Sequence, residues 1–246
     1  MSNTYFQFKQ FTVHQEHTAM KVCTDACLFG AWLAKDENIN TASALLDIGT
    51  GTGLLSLMVA QSTCSNINTH STITAVEIEP AAAMEAQRNI KASPWAEQIK
   101  LVHSSIQEFP HQKFDCIFTN PPFYEGDLKS PNEAINVASH SMALPWTELI
   151  EVVYDLLNPN GYYYVLVPAL RAYTMQKLAE QKGLLLIEEV MVSNAAKQKP
   201  FRAIHKYCKS ATPLAEVKRT NFIIKEKDNI YTEKFTKLLA PYYLHL

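Results

Sequence analysis

The stretch Leu45-Leu46-Asp47-Ile48-Gly49-Thr50-Gly51-Thr52-Gly53-Leu54-Leu55 decides the fold. It opens as a buried strand carrying Asp47 near its end, turns through glycine at every second position, and enters an apolar helix at once. Glycines in such a turn let the backbone bend sharply and let a ligand approach the main chain. The spacing is not the dinucleotide fingerprint GxGxxG, because Leu54 follows Gly53 directly. A phosphate-binding P-loop is excluded as well, since no Gly-Lys pair followed by Ser or Thr stands here. The next strand, in Thr74-Ala75-Val76-Glu77, ends on an acid. A carboxylate at that place accepts the hydroxyls of a ribose.

Outward from this stretch the pattern is regular. Residues 43–49 and 71–78 predict strands, and 53–62 and 80–93 predict helices, with Pro80 in the first turn. Strands follow over 99–103 and 113–120, then a helix over 145–158, a strand over 161–168, and a helix over 170–183 ended by Gly183. Residues 184–193 and 201–210 read as two strands without an intervening helix, 221–225 as a further strand, and 231–243 as a last helix. Strands alternating with helices mean βαβ units and a mostly parallel α/β sheet. The helix-free pair implies a hairpin, hence antiparallel pairing toward one edge. Ahead of this, 5–15 suggests a short hairpin, and 24–35 a helix capped by Thr24 or Asp25.

Bulk properties fit one large α/β domain. The 246 residues are 47% hydrophobic and 19% charged. The net charge of −2 hides an asymmetry: residues 194–246 hold 11 Lys and Arg against 4 Asp and Glu, and residues 1–193 hold 11 against 20. A basic C-terminal segment on an acidic body points to a polyanionic partner. The five cysteines include no CxxC pair, so free thiols and a reducing, cytoplasmic setting are expected, with no metal. No apolar run approaches the ~20 residues of a membrane span.

With Asp47-x-Gly49-x-Gly51-x-Gly53 and Glu77 in place, the chain resembles the class I S-adenosylmethionine-dependent methyltransferases over roughly residues 43–193. The resemblance implies a Rossmann-like seven-stranded, mostly parallel sheet with an antiparallel edge strand, and S-adenosyl-L-methionine as cofactor. It implies that Asp47, Gly49, Thr50, Gly51 and Gly53 form the methionine side of the cofactor site and Glu77 the ribose side. Where relatives often carry an adenine-contacting Asp, this chain has Ser104 and Ser105, and the adenine contact is assigned to Ser105.

At the end of the fourth strand of this series stands Thr119-Asn120-Pro121-Pro122-Phe123-Tyr124. The lone pair of a planar NH2 group, such as adenine N6, is delocalised into its ring. A side-chain and a backbone carbonyl accepting its two N–H bonds draw the nitrogen toward a tetrahedral shape with its lone pair free. Asn120 supplies one acceptor and the Pro121 carbonyl the other. Consecutive prolines fix that carbonyl and bring no competing N–H. Phe123 or Tyr124 offers a face on which a flipped base stacks. The motif is similar to the Asn-Pro-Pro-aromatic signature of amino methyltransferases, which act on adenine N6, guanine N2, cytosine N4 or glutamine N5, and the resemblance makes Asn120, Pro121, Pro122 and Phe123 the catalytic loop.

Residues 19–33, which include Met20, Lys21, Thr24 and Asp25, together with 119–124, 136–150 and the C-terminal 231–244, resemble the tRNA adenine N6-methyltransferases that modify adenine 37 of valine tRNA. The resemblance adds Lys21, Thr24 and Asn120 to the cofactor site. It implies an N-terminal cap over 1–40, a methyltransferase domain over 41–246 with basic C-terminal strands and helix, and a monomer that acts on tRNA without a membrane. Substrate contacts are expected from Phe123, Tyr124, His140, Lys199 and Arg202, with Lys197, Lys206 and Lys209 as further phosphate contacts. The alternatives are a protein glutamine N5-methyltransferase acting on release factors, whose usual helical N-terminal domain is longer than residues 1–40, and a ribosomal RNA guanine N2-methyltransferase, which tends to carry a second, degenerate half.

Overall fold

A computed structural model describes residues 3–18, 20–64, 71–110, 112–122, 144–210 and 216–246. A two-stranded hairpin, β1 (Tyr5–Gln7) and β2 (Thr12–His14), leads into α1 (Thr24–Leu33) and the short α2 (Glu37–Thr41). The alternating series is β3 (Ala44–Ile48), α3 (Leu54–Thr63), β4 (Thr72–Glu77), α4 (Pro80–Lys91), β5 (Ile99–His103) and β6 (Phe114–Thr119). Then come α5 (Trp146–Leu156), β7 (Leu157–Pro168), α6 (Ala172–Lys182), β8 (Leu185–Ala195), β9 (Arg202–Cys208), β10 (Lys218–Lys225) and α7 (Glu233–Leu239).

The main sheet has eight strands in the order β10-β8-β9-β7-β6-β3-β4-β5. The expected antiparallel pairing is present, with detail the alternation could not give. β9 runs antiparallel to both β7 and β8, and β10 adds an eighth strand parallel to β8. Strand order reverses at β3: β4 and β5 extend to one side, β6 and β7 to the other. The crevice at that switch point, beyond the carboxyl ends of β3 and β6, is where parallel sheets bind ligands.

Alternation along the strands fills two cores. Leu45, Tyr164 and Leu166 face α1, α3 and α7, whereas Leu46, Ile48, Tyr163 and Val165 face α5 and α6. Each such fully buried aliphatic chain contributes about 1.5–3 kcal/mol. Asp47 shares the Leu45 face, which aims its carboxylate at α3 instead of solvent.

The cap expected for α1 is corrected. Its N-cap is Cys23, with no side-chain bond, because Asp25 spends its carboxylate elsewhere. Asp25 Oδ2 accepts from Arg202 Nε at 2.7 Å, tying α1 to the start of β9. The α2 turn was not anticipated; its N-cap Asp36, with Asn38, receives the buried ammonium of Lys206 at 2.6 and 2.7 Å.

Candidate active site

The loop after β3 is built as the glycines require. Gly49, Gly51 and Gly53 have φ of 67°, 58° and 83°, the left-handed region that costs other residues roughly 1–2 kcal/mol. A Cβ at Gly49 or Gly51 would meet nothing within 4 Å, so both backbones face open space. Gly49 and Thr50 donate their N–H groups to Val76 O at 2.9 and 3.0 Å, drawing the loop onto β4.

Beneath the loop, Asp47 is fully buried. Its Oδ2 accepts from Thr50 Oγ1 at 2.6 Å and Ser56 Oγ at 2.7 Å, and its Oδ1 has no hydrogen-bond partner among the described residues. Burial pushes this carboxyl up to about 6, against the pull of the two hydroxyls and with help from the Glu77 charge. A raised acid pKa means that the native state holds a proton the unfolded state has lost, so ionisation of Asp47 costs stability as pH rises through its native pKa. One pKa unit is about 1.36 kcal/mol. Asp47→Asn is therefore expected to gain roughly 1–3 kcal/mol at pH 7.5 in the cofactor-free protein, and to gain little at pH 4. Denaturant melts at both values test it, and an equal effect at both would contradict a native pKa near 6.

Glu77 closes the cradle from the other side. Its Oε2 accepts from Gly51 N at 2.8 Å, and its Oε1 from Ile78 N at 3.0 Å and Glu79 N at 2.9 Å. A carboxylate offers about four acceptor sites. Three are used, which leaves one on Oε2 for a further donor. The expectation that Glu77 takes both ribose hydroxyls is thus narrowed to one strong bond.

Thr119 pairs with Ile48 across β6 and β3, and its hydroxyl donates to Ile48 O at 2.7 Å. That registers Asn120 beside the glycine loop. Asn120 Oδ1 is buried and makes no hydrogen bond among the described residues. A cleft of about 1070 Å³ joins these parts, with Gly49, Gly51, Glu77, Asn120, Pro121 and Pro122 among its walls. Ser104 and Ser105 line it too. The Ser104 hydroxyl is spent on Ser105 O at 3.0 Å, whereas Ser105 Oγ accepts, among the described residues, only from Glu108 N at 3.3 Å and keeps a proton and a lone pair to offer.

Other wall residues carried weaker signals in the sequence. Ile78 and Ile106 supply apolar faces beside Glu77 and the serines. A hydrophobic residue after the acid was visible, but it carries no polar signature. Thr18 and Met20 arrive on the N-terminal segment, which α4 holds in place. Glu85 accepts from His17 N and Thr18 N, and Asn89 accepts from His14 N and donates to Thr52 O. Thr18 lines this cleft, and its buried Oγ1 has no hydrogen-bond partner among the described residues.

Among the sequence-predicted residues, Asp47, Thr50 and Gly53 shape the loop from below and are not cleft walls. Lys21 and Thr24 are exposed beside the cleft and outside its lining. Lys199 is exposed, and Arg202 is engaged by Asp25. Phe123, Tyr124 and His140 lie outside the described residues. Lys206 and Lys209 are corrected. Lys206 is buried against Asp36, and Lys209 donates to Tyr154 O and Leu157 O at the amino end of β7, away from the cleft. Neither is placed to meet a phosphate at the cleft.

The residues present fit the S-adenosylmethionine that the resemblance implies. Two glycine backbones open on free space, the Glu77 carboxylate keeps one acceptor site, and the Ser105 hydroxyl keeps a proton to offer. The sheet order and the cleft at its switch point define a class I methyltransferase fold. A crystal structure from Agrobacterium tumefaciens, described as a predicted O-methyltransferase, shares that fold with a TM-score of 0.65 at 13% identity, over 87% of this chain and 95% of the other. The family model of the methyltransferase small domain matches residues 31–169. Proteins named tRNA1(Val) (adenine(37)-N6)-methyltransferase from Dyadobacter fermentans and Cytophaga hutchinsonii are each 38% identical, the first over 98% of both chains and the second over 100% of both. The chain belongs to this tRNA1(Val) (adenine(37)-N6)-methyltransferase family.

Proposed function

We propose that this protein transfers a methyl group from S-adenosylmethionine to the exocyclic N6 of adenine 37 in valine tRNA. The observation that carries the reading is the buried Oδ1 of Asn120, on a residue lining the cleft, an acceptor with no donor among the described residues. The family names supply the substrate, and the glutamine and guanine alternatives have no comparable support. When bound, the cofactor supplies an electrophilic methyl group on a sulfonium. Gly49, Gly51, Glu77 and Ser105 would hold it.

Asn120 Oδ1 accepts one N–H of the adenine amine, and the Pro121 carbonyl accepts the other. The nitrogen lone pair then points into the cleft. This nitrogen would take the methyl group from the cofactor, which would leave as the neutral thioether. The methylated nitrogen is briefly cationic and acidic, and its proton passes to water. No strong base is required. The gain comes from orientation and from acceptors set before the reaction.

Phe123 or Tyr124 supplies the stacking face, His140 a base contact, and Lys199 and Arg202 phosphate contacts. Lys21 and Thr24 border the cofactor, and residues 1–40 cap the domain over 41–246. The protein acts as a monomer in the cytoplasm, without a membrane. Among the described residues no helix is long and apolar enough to cross one.

Labelled S-adenosylmethionine with unmodified tRNA, and release factor in a parallel reaction, tests the reading. N6-methyladenosine in the digested tRNA is expected. Label on release factor alone, or on guanine, overturns it.

A further inference from the structure

Leu170 is 90% and Tyr173 69% exposed, an unusual pair of large apolar side chains in adjacent turns. They lie just past the carboxyl end of β7 and at the start of α6. β7 pairs in parallel with β6, with Val165 opposite Thr119, so this corner stands on the same edge of the sheet as Asn120. Three residues of strand beyond that register put it on the order of 10 Å past Thr119 along the strand.

Basic residues stand on the elements next to the pair. Lys177 Nζ sits 5.5 Å over the Tyr173 ring and also meets Glu180 at 3.3 Å. The turn between β8 and β9, which carries exposed Lys197 and Lys199, is joined to this corner by Ala169 N donating to Phe201 O at 3.1 Å. The Arg171 guanidinium lies 5.1 Å over the Trp146 ring, and the neighbouring Pro145 lines the cleft. The corner is therefore continuous with the cleft, is basic on balance, and carries an exposed aromatic face.

We infer that this corner is a second RNA contact, on which a nucleotide flanking the target adenine stacks against Tyr173 beside Leu170, while Lys197 and Lys199 meet its phosphates. The inference rests on the tRNA reading above. Extruding a base from a loop leaves its neighbours unstacked, and single-stranded RNA is held by aromatic faces interleaved with cations. A protein partner would want the apolar pair without the cations, so charge complementarity selects the polyanion.

Steady-state kinetics with valine tRNA at saturating S-adenosylmethionine test this on the full chain. Tyr173→Ala is expected to raise KM for tRNA by about 5–100-fold, the range of one base–aromatic stack. Its kcat, cofactor affinity and melting temperature should stay near wild type, because the ring is exposed. Tyr173→Phe should restore KM. Lys197→Ala combined with Lys199→Ala should flatten the dependence of log KM on log salt by about 1.4, at ~0.7 per single-strand phosphate contact. An unchanged KM in Tyr173→Ala overturns the inference while leaving the tRNA reading intact. Failure of the wild-type protein to methylate tRNA overturns both.

Discussion

Asn120→Ala is expected to lower kcat for adenine methylation by about 10²–10³-fold, the loss typical of one preorganised hydrogen-bonding group at a reacting centre. Affinity for S-adenosylmethionine should change little, because the cradle of Gly49, Gly51 and Glu77 does not depend on this amide. Stability should not fall either. Among the described residues the buried Asn120 Oδ1 has no hydrogen-bond donor, which costs about 1–3 kcal/mol, and alanine removes that penalty. The expected signature is a variant that binds cofactor and melts at or above the wild-type temperature, yet transfers methyl groups poorly. Titration calorimetry, thermal melts and single-turnover methylation measure the three quantities. Equal losses in cofactor affinity and turnover would show that Asn120 supports the cofactor instead of the amine.

Glu77→Gln has the second large effect, of the opposite kind. Glu77 accepts from three backbone N–H groups, so it organises the glycine loop as well as the ribose end. Glutamine presents one carbonyl oxygen and one NH2, and the NH2 must face an N–H that now lacks an acceptor. A hydrogen bond to a charged group is worth about 1.5–3 kcal/mol, and an orphaned buried donor costs a similar amount. A loss of roughly 3 kcal/mol is expected, or about 6–12 °C in melting temperature for a chain of this size. Cofactor affinity should fall by about 100-fold or more, since each 1.4 kcal/mol is tenfold. A normal melt with normal cofactor affinity would contradict the role given to this carboxylate.

Much of the site was legible because its signals are local. The glycine spacing, the acid ending β4 and the amide before two prolines each sit on a strand end, and parallel pairing carries all three strand ends to one edge. Alternating strands and helices gave the layers for the same reason. What stayed hidden depends on long-range partners. Nothing near Arg202 in sequence announces Asp25, and nothing near Lys206 announces Asp36. Counting Lys206 as a phosphate ligand followed from composition, which sees charge but not its partner. The anchoring of Thr18 by Glu85 is hidden likewise, because a carboxylate binding backbone N–H groups leaves no trace in the residues it holds. The position of β10 outside β8 was not readable either. An eight-residue strand can add to either edge, and tertiary packing selects one.

The most direct test is a crystal structure with S-adenosylhomocysteine and adenosine bound. The expected result places the amino-acid end of the cofactor product against Gly49 and Gly51, its ribose on Glu77, and the adenosine N6 within about 3 Å of Asn120 Oδ1. An adenosine amine bound elsewhere, with Asn120 Oδ1 turned to a protein donor, would contradict the role assigned to the Asn120-Pro121-Pro122 loop.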